Sequence, residues 1–345
     1  MKIIEGGYLA DVLEQPRALE ETERALEAPP ALEALAARLV RGDLNQVVLT
    51  GMGSSFHALH PLHLDLVRRG FAAIRVETSE LRFHQSPLLK PRTLLVVVSQ
   101  SGASVEVVRL LERVPEGVEV IGVTNTLGSP LAIQASVALF TRAGTEYTVS
   151  SKTYLATLMM LSWLSSVLCG GDRQTVKSEL LKAAPAVSGY LRDWRRHVES
   201  LAIELAGVSN LFLVGRGPSL AAVGAGGLII KESAHFPAEG MSSAAFRHGP
   251  FEMLSARTFV GVFLGDSSTA TLNQRLGSDI LGAGGRAAVI GEEAPDGPFC
   301  LPKAPERLRP MLEMLVVEMM SFALAALVGR EAGKFERASK ITTVE

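Results

Sequence analysis

The sequence has few of the features that mark secreted, metal-binding or nucleic-acid-binding proteins. Only two cysteines occur in 345 residues, and Cys169 and Cys300 form neither a CxxC motif nor a disulfide framework. Lys and Arg total 34 against 36 Asp and Glu, and the resulting net charge of −2 would not attract nucleic acid or an anionic membrane. The start, MKIIEGGYLADVLEQP, lacks the apolar core of a signal peptide. We expect a cytoplasmic protein whose partner is a small molecule.

The longest apolar stretch, residues 311–328, is poorly suited to a lipid bilayer. It includes Glu313 and Glu318, and a charge near the centre of a bilayer costs several kcal/mol. We therefore expect a core helix or a helix at a dimer interface, and no membrane partner.

The pattern of apolar residues predicts an α/β fold. Residues 8–41 have helical spacing, and Pro29 and Pro30 divide them into two helices. Short apolar runs then alternate with helical segments, which is typical of βαβ units and a flavodoxin- or Rossmann-like parallel sheet covered on both faces. The predicted strands are residues 47–50, 73–77, 94–98, 118–124 and 138–141, and, after a helical stretch at 152–206, residues 211–214, 259–263 and 287–290.

The two halves of the chain share a register. VVLTGMGSS at residues 47–55 matches LFLVGRGPS at 211–219, a shift of 211 − 47 = 164. TLLVVVSQSGAS from Thr93 matches TFVGVFLGDSST from Thr258, a shift of 258 − 93 = 165. These matches favour an internal duplication, although any two α/β domains share a strand–glycine–helix rhythm.

The segment after the third strand predicts an anion site. Residues 94–98 lead into Ser99-Gln100-Ser101-Gly102-Ala103-Ser104, and a helix is expected over 105–113. The first backbone N–H groups of a helix lack partners within it, and its dipole adds positive charge there. Three serine hydroxyls supply further donors, and phosphate is the anion that suits them. The alternative is an ordinary helix cap, for which one serine would do.

A second glycine–serine turn, GMGSS at residues 51–55, follows the first strand. It could be a dinucleotide fingerprint with Glu77 on the ribose, but it lacks the third glycine of that motif. In the second half of the chain, Asp266 would repel a phosphate, so we expect the anion site in the first half only.

Six motifs together resemble the sugar isomerase (SIS) family. They are GMGSSFHA, SQSGAS, AGTEYTVSSKTY at residues 143–154, KES from Lys231, FRHGP at 246–250 and the tail ASKITTVE at 338–345. Within the family, they are most similar to the isomerase half of glucosamine-6-phosphate synthase and to stand-alone glucosamine-6-phosphate deaminases.

The resemblance implies two tandem SIS domains, each a three-layer αβα sandwich with a parallel sheet. We expect an N-terminal helical arm (residues 1–44), SIS domain 1 with the phosphosugar site (45–170), a helical linker (171–206), SIS domain 2 (207–330) and a C-terminal tail that closes over the active site (331–345).

The resemblance also implies roles for individual residues. Glu232 matches the base that moves a proton between C1 and C2, and His248 matches a ring-opening histidine contributed across a homodimer interface. Lys340 matches the tail lysine that reaches the open sugar. The substrate- and phosphate-binding positions are Gly53, Ser54, Ser55, Ser99, Gln100, Ser101, Gly102, Ser104, Val149, Ser151 and Ser339.

The residue types suit the chemistry. A partly buried carboxylate can take and return a proton, histidine titrates in the range that ring opening needs, and a lysine cation can stabilise enediolate charge or form an imine. Taken singly, Glu232 could be half of a surface pair with Lys231, His248 a turn residue, and Lys340 a solvated tail residue. Their joint occurrence favours function.

The sequence departs from the synthase at three positions. The synthase has a glutamate, a lysine and a glutamate where this chain has Ala225, Ile229 and Ala245, which leaves the substrate's C2 group open. VSSKTY is also one residue shorter than the synthase segment, which leaves the assignments of Val149, Ser151 and Lys152 open.

No metal or cofactor is expected. His57, His60 and His63 follow at three-residue steps on a predicted helix, but no carboxylate or cysteine pattern completes a tetrahedral set.

We interpret the sequence as that of an ammonia-releasing glucosamine-6-phosphate deaminase. No glutaminase domain is recognised, and Lys2 follows Met1 where a glutaminase would have cysteine, so synthesis from glutamine is not expected. An aldose–ketose phosphate isomerase and a fructosamine-phosphate deglycase are alternatives. A non-catalytic phosphosugar sensor is another, but a sensor would have little need for Glu232, His248 and Lys340 together.

Overall fold

The computed structural model describes residues 2–337 and 339–342 and groups them into two compact units. The five-stranded unit comprises residues 17–146, 152–181 and 339–342, and the four-stranded unit comprises residues 2–16, 147–151 and 182–337. Met1, Ala338 and residues 343–345, which belong to the predicted arm and tail, lie outside the described residues. The domain boundaries that the resemblance implies stay a prediction.

The five-stranded unit is built on one parallel sheet with the order β2-β1-β3-β4-β5. Its strands are β1 (Gln46–Gly51), β2 (Ala73–Glu77), β3 (Thr93–Val98), β4 (Glu119–Thr124) and β5 (Val137–Phe140). Its helices are α2 (Gln15–Arg24, beginning just before the unit), α3 (Pro30–Val40), α4 (Gly53–Ala58), α5 (His60–Arg68), α6 (Thr78–Phe83), α7 (Val105–Leu111), α8 (Pro130–Gln134), α9 (Lys152–Leu168) and α10 (Arg173–Leu180).

Helices pack on this sheet because its central strand is apolar on both faces. All six residues of β3 are buried. One hydrophobic cluster joins Val48, Leu95 and Val97 of the sheet to residues of α6, α7 and α8. Helix α9 contacts β4 and packs against α3, α4, α5 and α10. A continuous apolar strand of this kind is typical of a parallel sheet with helices on both sides.

The four-stranded unit repeats this topology with the order β7-β6-β8-β9, again all parallel. Its strands are β6 (Asn210–Gly215), β7 (Ala238–Ser242), β8 (Thr258–Phe263) and β9 (Arg286–Ile290). Its helices are α1 (Gly7–Leu13), α11 (Ala183–Leu191), α12 (Trp194–Leu205), α13 (Leu220–Ala234), α14 (Ser243–Arg247), α15 (Ala270–Gly282) and α16 (Arg309–Leu327).

Helix α16 is a core helix of the four-stranded unit. By length and hydropathy alone it could cross a membrane, but 94% of its apolar window is buried inside the structure. It packs against α11, α12 and α13. The interpretation of this segment as a core helix therefore fits the structure.

The α/β class and the parallel sheets predicted from the sequence are confirmed, but one strand was missed. Strand β7 has the sequence AEGMS, which lacks the β-branched and aromatic residues that favour strands. The duplication provides the signal that could have found it: β2 begins at Ala73, and 73 + 165 = 238, the first residue of β7.

Two further helix predictions were wrong in detail. The segment 8–41 forms three helices rather than two, because α1 ends at Leu13 and α2 begins at Gln15. Pro16, in the first turn of α2, was an overlooked helix-start signal. The three spaced histidines also do not share one helix, since His57 lies on α4 while His60 and His63 lie on α5.

Strand β7 and helix α13 approach each other closely through two glycines. A Cβ added to Gly240 would lie 1.9 Å from the carbonyl oxygen of Val223, and one added to Gly227 would lie 2.6 Å from the amide nitrogen of Gly240. This contact needs glycine because no side-chain atom fits between the two backbones.

We predict that Gly240→Ala destabilises the protein, because the helix must move away from the strand. Overpacking of this kind costs about 1–3 kcal/mol, and each kcal/mol lowers Tm by roughly 2–4 °C in a domain of this size. Thermal unfolding would measure it. Gly189→Ala on α11 is the matched control, since a Cβ there would meet no described atom within 4 Å. An equal Tm for the Gly240 variant and wild type would contradict the close-packing interpretation.

Candidate functional site

The two glycine–serine turns of the five-stranded unit lie side by side. Strands β1 and β3 are neighbours, and Gly51 at the end of β1 pairs with Val98 at the end of β3. The chain order of the strands reverses at this pair, because β1 has β2 on its other side. Ligands of open parallel sheets bind at such a switch point, beyond the carboxyl ends of the strands.

The turn after β1 is a tight strand-to-helix junction. Gly53 has φ +51°, in the left-handed region that favours glycine, and it begins α4. The N–H of Ser55 donates to the carbonyl of Met52 at 3.0 Å. Ser54 is buried and Ser55 is half-buried.

The serine loop, residues 99–104, is closed by its own hydroxyls. The N–H of Gly102 donates to the carbonyl (3.1 Å) and the hydroxyl (3.2 Å) of Ser99, and the N–H of Ala103 donates to the hydroxyl of Ser101 at 3.2 Å. Gly102 has φ +61°, and a Cβ there would lie 2.2 Å from Oγ of Ser129. Glycine is therefore required twice, for its backbone conformation and for space.

Several backbone N–H groups at this junction already have partners. Those of Gly102 and Ala103 donate within the loop, and that of Val105, the first residue of α7, donates to the carbonyl of Thr342. The donors that suit a phosphate are instead the serine hydroxyls, since a hydroxyl that accepts a bond keeps its own hydrogen to donate. Ser104 lies at the N-cap of α7, and its hydroxyl makes no capping bond to the described helix.

The loop is also fixed from the neighbouring strand. The carbonyl of Gln100 accepts from the N–H of Asn125 at 3.0 Å and from the hydroxyl of Thr124 at 3.2 Å. The carbonyl of Gly102 accepts from the N–H of Leu131 at 3.1 Å. The loop therefore has a defined shape before any ligand binds, which lowers the entropy cost of binding.

The C-terminal segment reaches the same edge of the five-stranded unit. The carbonyl of Thr342 accepts from the N–H of Val105, the first residue of α7, at 3.2 Å. The ammonium of Lys340 forms an ion pair with the carboxylate of Glu146, whose side chain is 0% exposed. That carboxylate also accepts from the N–H (3.0 Å) and the hydroxyl (2.6 Å) of Thr153. Ser339 is exposed, and its hydroxyl donates to the carbonyl of Ile341 at 2.8 Å.

The other predicted site residues belong to the four-stranded unit. Glu232 lies half-buried in the last turns of α13, and His248 is exposed directly after α14. Val149 and Ser151 are buried, in the segment 147–151.

The corresponding turns of the four-stranded unit are satisfied internally. The carboxylate of Asp266 accepts from the N–H of Ser268 at 3.0 Å and from the hydroxyl of Thr269 at 3.3 Å. A Cβ on Gly217, in the turn after β6, would lie 2.8 Å from Oδ2 of Asp266. An acidic side chain thus occupies the place and the donors that an anion would need.

A buried acid lies below this second pair of turns. Glu313 of α16 is 0% exposed and accepts from the hydroxyl of Ser219 at 2.7 Å. Burial raises the pKa of Glu313 from 4.5 to about 8, and the Ser219 bond and the charge of Arg309 only partly oppose this rise. The carboxyl group is therefore mostly protonated at neutral pH.

The five-stranded sheet lies within a stretch of the chain that matches a known protein domain. Residues 43–166 match the profile of the SIS domain. This part of the chain is similar to a SIS domain. The resemblance predicted from the six motifs is confirmed, and the serine loop and the GMGSS turn both lie within the matched residues.

Curated relatives are similar along nearly the whole length of this chain. Glutamine–fructose-6-phosphate aminotransferase (isomerizing) from Pyrococcus horikoshii is 29% identical over 360 residues, covering 99% of this chain and 58% of that protein. The protein of the same name from Aeropyrum pernix is 30% identical, covering 98% of this chain and 57% of that protein. The chain therefore spans somewhat more than half of the length of these relatives.

Solved structures with the same fold carry several names. The C-terminal domain of glucosamine-fructose-6-phosphate aminotransferase from Francisella tularensis has a TM-score of 0.84 at 18% identity, covering 96% of this chain and 98% of that one. Glucosamine-6-phosphate deaminase from Thermotoga maritima has a TM-score of 0.79 at 17% identity, covering 98% and 100%. Tagatose-6-phosphate ketose/aldose isomerase from Escherichia coli has a TM-score of 0.80 at 19% identity, covering 96% of each. At these identities the likeness shows the fold.

Three groups at the site were not predicted from the sequence motifs. Glu146 appears in AGTEYTVSSKTY, but it was given no role, although a lone acid in a motif could have been matched to Lys340. The carbonyl of Thr342 could not be found, because a backbone contact of the tail has no side-chain signal. Asn125 lies four residues before a Ser-Pro helix start and looks like an ordinary turn residue.

We predict that Glu313 makes the stability of the protein depend on pH. In the unfolded chain it ionises near its ordinary pKa of 4.5, but in the folded protein only near 8. The folded state therefore holds an extra proton between these values. The free energy of unfolding should fall as pH rises through this window, by up to about 1.4 kcal/mol per pH unit.

Glu313→Gln tests this prediction, since the glutamine oxygen can still accept from Ser219. Denaturant unfolding of both proteins at several pH values between 4.5 and 8 should show a shallower loss of stability for the variant. The comparison uses the slope, because the amide changes the absolute stability at every pH. Parallel curves would show that Glu313 does not hold the proton.

Proposed function

We propose that the chain is a sugar-phosphate isomerase that acts on an amino-sugar phosphate, and that its reaction is the deamination of glucosamine 6-phosphate. The single observation that carries this proposal is the serine loop at the switch point of the SIS sheet, with the Lys340 tail bonded beside it. The loop offers hydroxyl donors for a phosphate, and the tail offers a cation for an oxygen that becomes negatively charged. The names of the relatives support a phosphosugar as the substrate.

The proposed reaction converts glucosamine 6-phosphate and water into fructose 6-phosphate and ammonia. The ring opens when the proton of the C1 hydroxyl is transferred to the ring oxygen, and we propose His248 for this transfer. Glu232 then removes the C2 proton and returns it at C1, and a proton passes from the C2 amine to the C1 oxygen, which leaves an imine at C2 and a hydroxyl at C1. Water adds to the imine carbon and ammonia leaves. No oxidant or cofactor is needed for this balance.

The structure favours one of the two roles considered for Lys340. An imine-forming lysine must attack as the neutral amine. Here its ammonium pairs with the buried carboxylate of Glu146. We therefore propose that Lys340 acts as a cation that stabilises negative charge on the C1 oxygen.

The finer features of the fold and assembly are part of the same proposal. We propose that the four-stranded sheet is a second SIS domain, so that the chain has two tandem αβα sandwiches over residues 45–170 and 207–330. We also propose a cytoplasmic homodimer in which each protomer contributes His248 to its partner's site. The exposure of His248 supports this assignment.

We predict that the purified protein releases ammonia from glucosamine 6-phosphate without glutamine, and that Glu232→Gln lowers this rate by roughly 100- to 10,000-fold. The amide keeps the shape of the side chain but cannot accept a proton, so sugar binding should change little. Ammonia and fructose 6-phosphate are measured together in coupled assays. Glu239→Gln, an exposed glutamate on β7, is the matched control.

Different outcomes separate the alternatives. Ammonia release at the wild-type rate by Glu232→Gln would show that another group is the base. Interconversion of an aldose and a ketose phosphate without nitrogen loss would support the plain isomerase. Cleavage of a fructosamine phosphate would support the deglycase, and binding without turnover of any of these sugars would support the sensor.

We predict that Ser104→Ala weakens binding of the phosphate group. A hydrogen bond to a charged group contributes about 1.5–3 kcal/mol, so KM should rise roughly 10- to 100-fold. The phosphate does not react, so kcat should stay nearly constant. Ser178→Ala on α10 removes an exposed hydroxyl of the same unit and should leave both constants unchanged. An unchanged KM for Ser104→Ala would move the phosphate away from this loop.

A further inference from the structure

Asn125 lies directly after β4 and bonds to two separate segments of the five-stranded unit. Its backbone N–H donates to the carbonyl of Gln100 in the serine loop at 3.0 Å. Its side chain bonds to residues 141–144: Oδ1 accepts from the hydroxyl of Thr141 (2.9 Å) and the N–H of Ala143 (2.8 Å), and Nδ2 donates to the carbonyl of Gly144 (2.8 Å). One residue therefore joins the serine loop to the segment after β5.

The segment 141–144 has a backbone that needs such support. Arg142 has φ +50°, which is unfavourable for a residue with a side chain, and Gly144 has φ +76°. The bonds from Asn125 fall on both sides of Arg142. The hydroxyl of Thr22 also donates to the carbonyl of Thr141 at 2.5 Å, and Nδ2 of Asn125 supports the carbonyl of Gly144.

The segment leads within two residues to Glu146, whose carboxylate holds Lys340. The tail that carries Lys340 returns to the serine loop, because the carbonyl of Thr342 accepts from the N–H of Val105. These contacts join the serine loop to Asn125, Asn125 to residues 141–144, and Glu146 to Lys340. The tail that carries Lys340 then bonds to the start of α7, directly after the serine loop.

We propose that Asn125 is a positioning residue, which places Glu146 and hence the Lys340 ammonium in a fixed relation to the serine loop. It acts through Glu146 and does not itself touch the sugar. This role rests on the proposed function for its effect on turnover, but its effect on the position of the tail does not.

The chemistry of the amide explains why asparagine suits this position. Its oxygen meets two donors and its nitrogen meets one acceptor, so all three bonds need both ends of an amide. Aspartate would keep the two accepted bonds but would place a carboxylate oxygen against the carbonyl of Gly144. Asn125→Asp therefore breaks the one bond that leads toward Glu146, with almost no change in size.

The first experiment measures the position of the tail without any turnover. Full-length protein is treated with endoproteinase Lys-C, and cleavage after Lys340 is followed by intact-mass spectrometry. Asn125→Asp and Glu146→Gln should each accelerate this cleavage at least 10-fold. Cleavage after Lys177, on α10 of the same unit, should keep its wild-type rate and serves as the reference for general loosening of the fold.

A matched control uses the same substitution elsewhere. Asn210 is half-buried and accepts hydrogen bonds from Ser209 (3.1 Å) and Thr258 (3.4 Å) through Oδ1, so aspartate keeps both. Asn210→Asp should leave cleavage after Lys340 unchanged. If Asn125→Asp does not fold, Thr141→Val removes a single bond to Asn125 and should give a smaller acceleration in the same direction.

The second experiment measures turnover in a double-mutant cycle with Lys340→Met. If Asn125 acts through Lys340, Asn125→Asp should lower kcat about 10-fold with KM nearly unchanged, and should lower it less than 3-fold when Lys340 is already replaced. A residue that only stabilises the fold would lower activity by the same factor in both backgrounds.

Two results would overturn the proposal: wild-type cleavage after Lys340 in both Asn125→Asp and Thr141→Val, or acceleration at Lys177 equal to that at Lys340. An absence of ammonia release by the wild-type protein would contradict the proposed function alone. In that case the proteolysis comparison still decides whether Asn125 positions the tail.

Discussion

The candidate site depends on one constraint, the parallel pairing of β1 with β3. This pairing sets Gly51 opposite Val98, so the two turns that follow must leave the sheet side by side. In the sheet β2 pairs on one side of β1 and β3 pairs on the other, so the turns after β1 and β3 lie at the switch point of the strand order. Serines that are 45 residues or so apart in the sequence are brought together by this topology. Their hydroxyls could not be concentrated in this way by either turn alone.

A buried charge then determines where the C-terminal segment lies. The side chain of Glu146 is 0% exposed, and an ionised carboxylate removed from water costs several kcal/mol unless cations and donors surround it. Thr153 supplies two donors, and Lys340 supplies the cation from the far end of the chain. The tail thus has an electrostatic reason to stay at this edge of the five-stranded unit, although residues 339–342 form no helix or strand. Lys340, which we propose stabilises charge in the reaction, is therefore positioned by its ion pair with Glu146.

Strongly apolar strands were predicted correctly from the sequence, whereas a weakly apolar strand and contacts between distant stretches were not. The apolar runs at β1, β3 and β8 predicted their strands because both faces of each strand are buried. Strand β7 failed the same criterion, since it is an edge strand whose Gly240 is selected by contact with α13. The serine loop was predicted from its hydroxyls. The bonds that its N–H groups make within the loop, and the bond from the N–H of Val105 to the carbonyl of Thr342, depend on backbone geometry and could not be predicted from residue types. Asn125 was missed for a related reason, because its partners are mostly backbone atoms.

The two sheets share a strand order but differ in how their switch points are satisfied. In the five-stranded unit the turns present serine hydroxyls, and the nearby acid Glu146 is paired with Lys340. In the four-stranded unit Asp266 bonds to the donors of its own loop, and the protonated Glu313 lies beneath Ser219. An anion would gain donors at the first switch point, but at the second it would have to displace a carboxylate. The same strand order therefore leaves hydroxyl donors for an anion in one sheet, whereas in the other sheet the donors are bonded to acidic side chains. The difference comes from a few acidic residues and not from the fold.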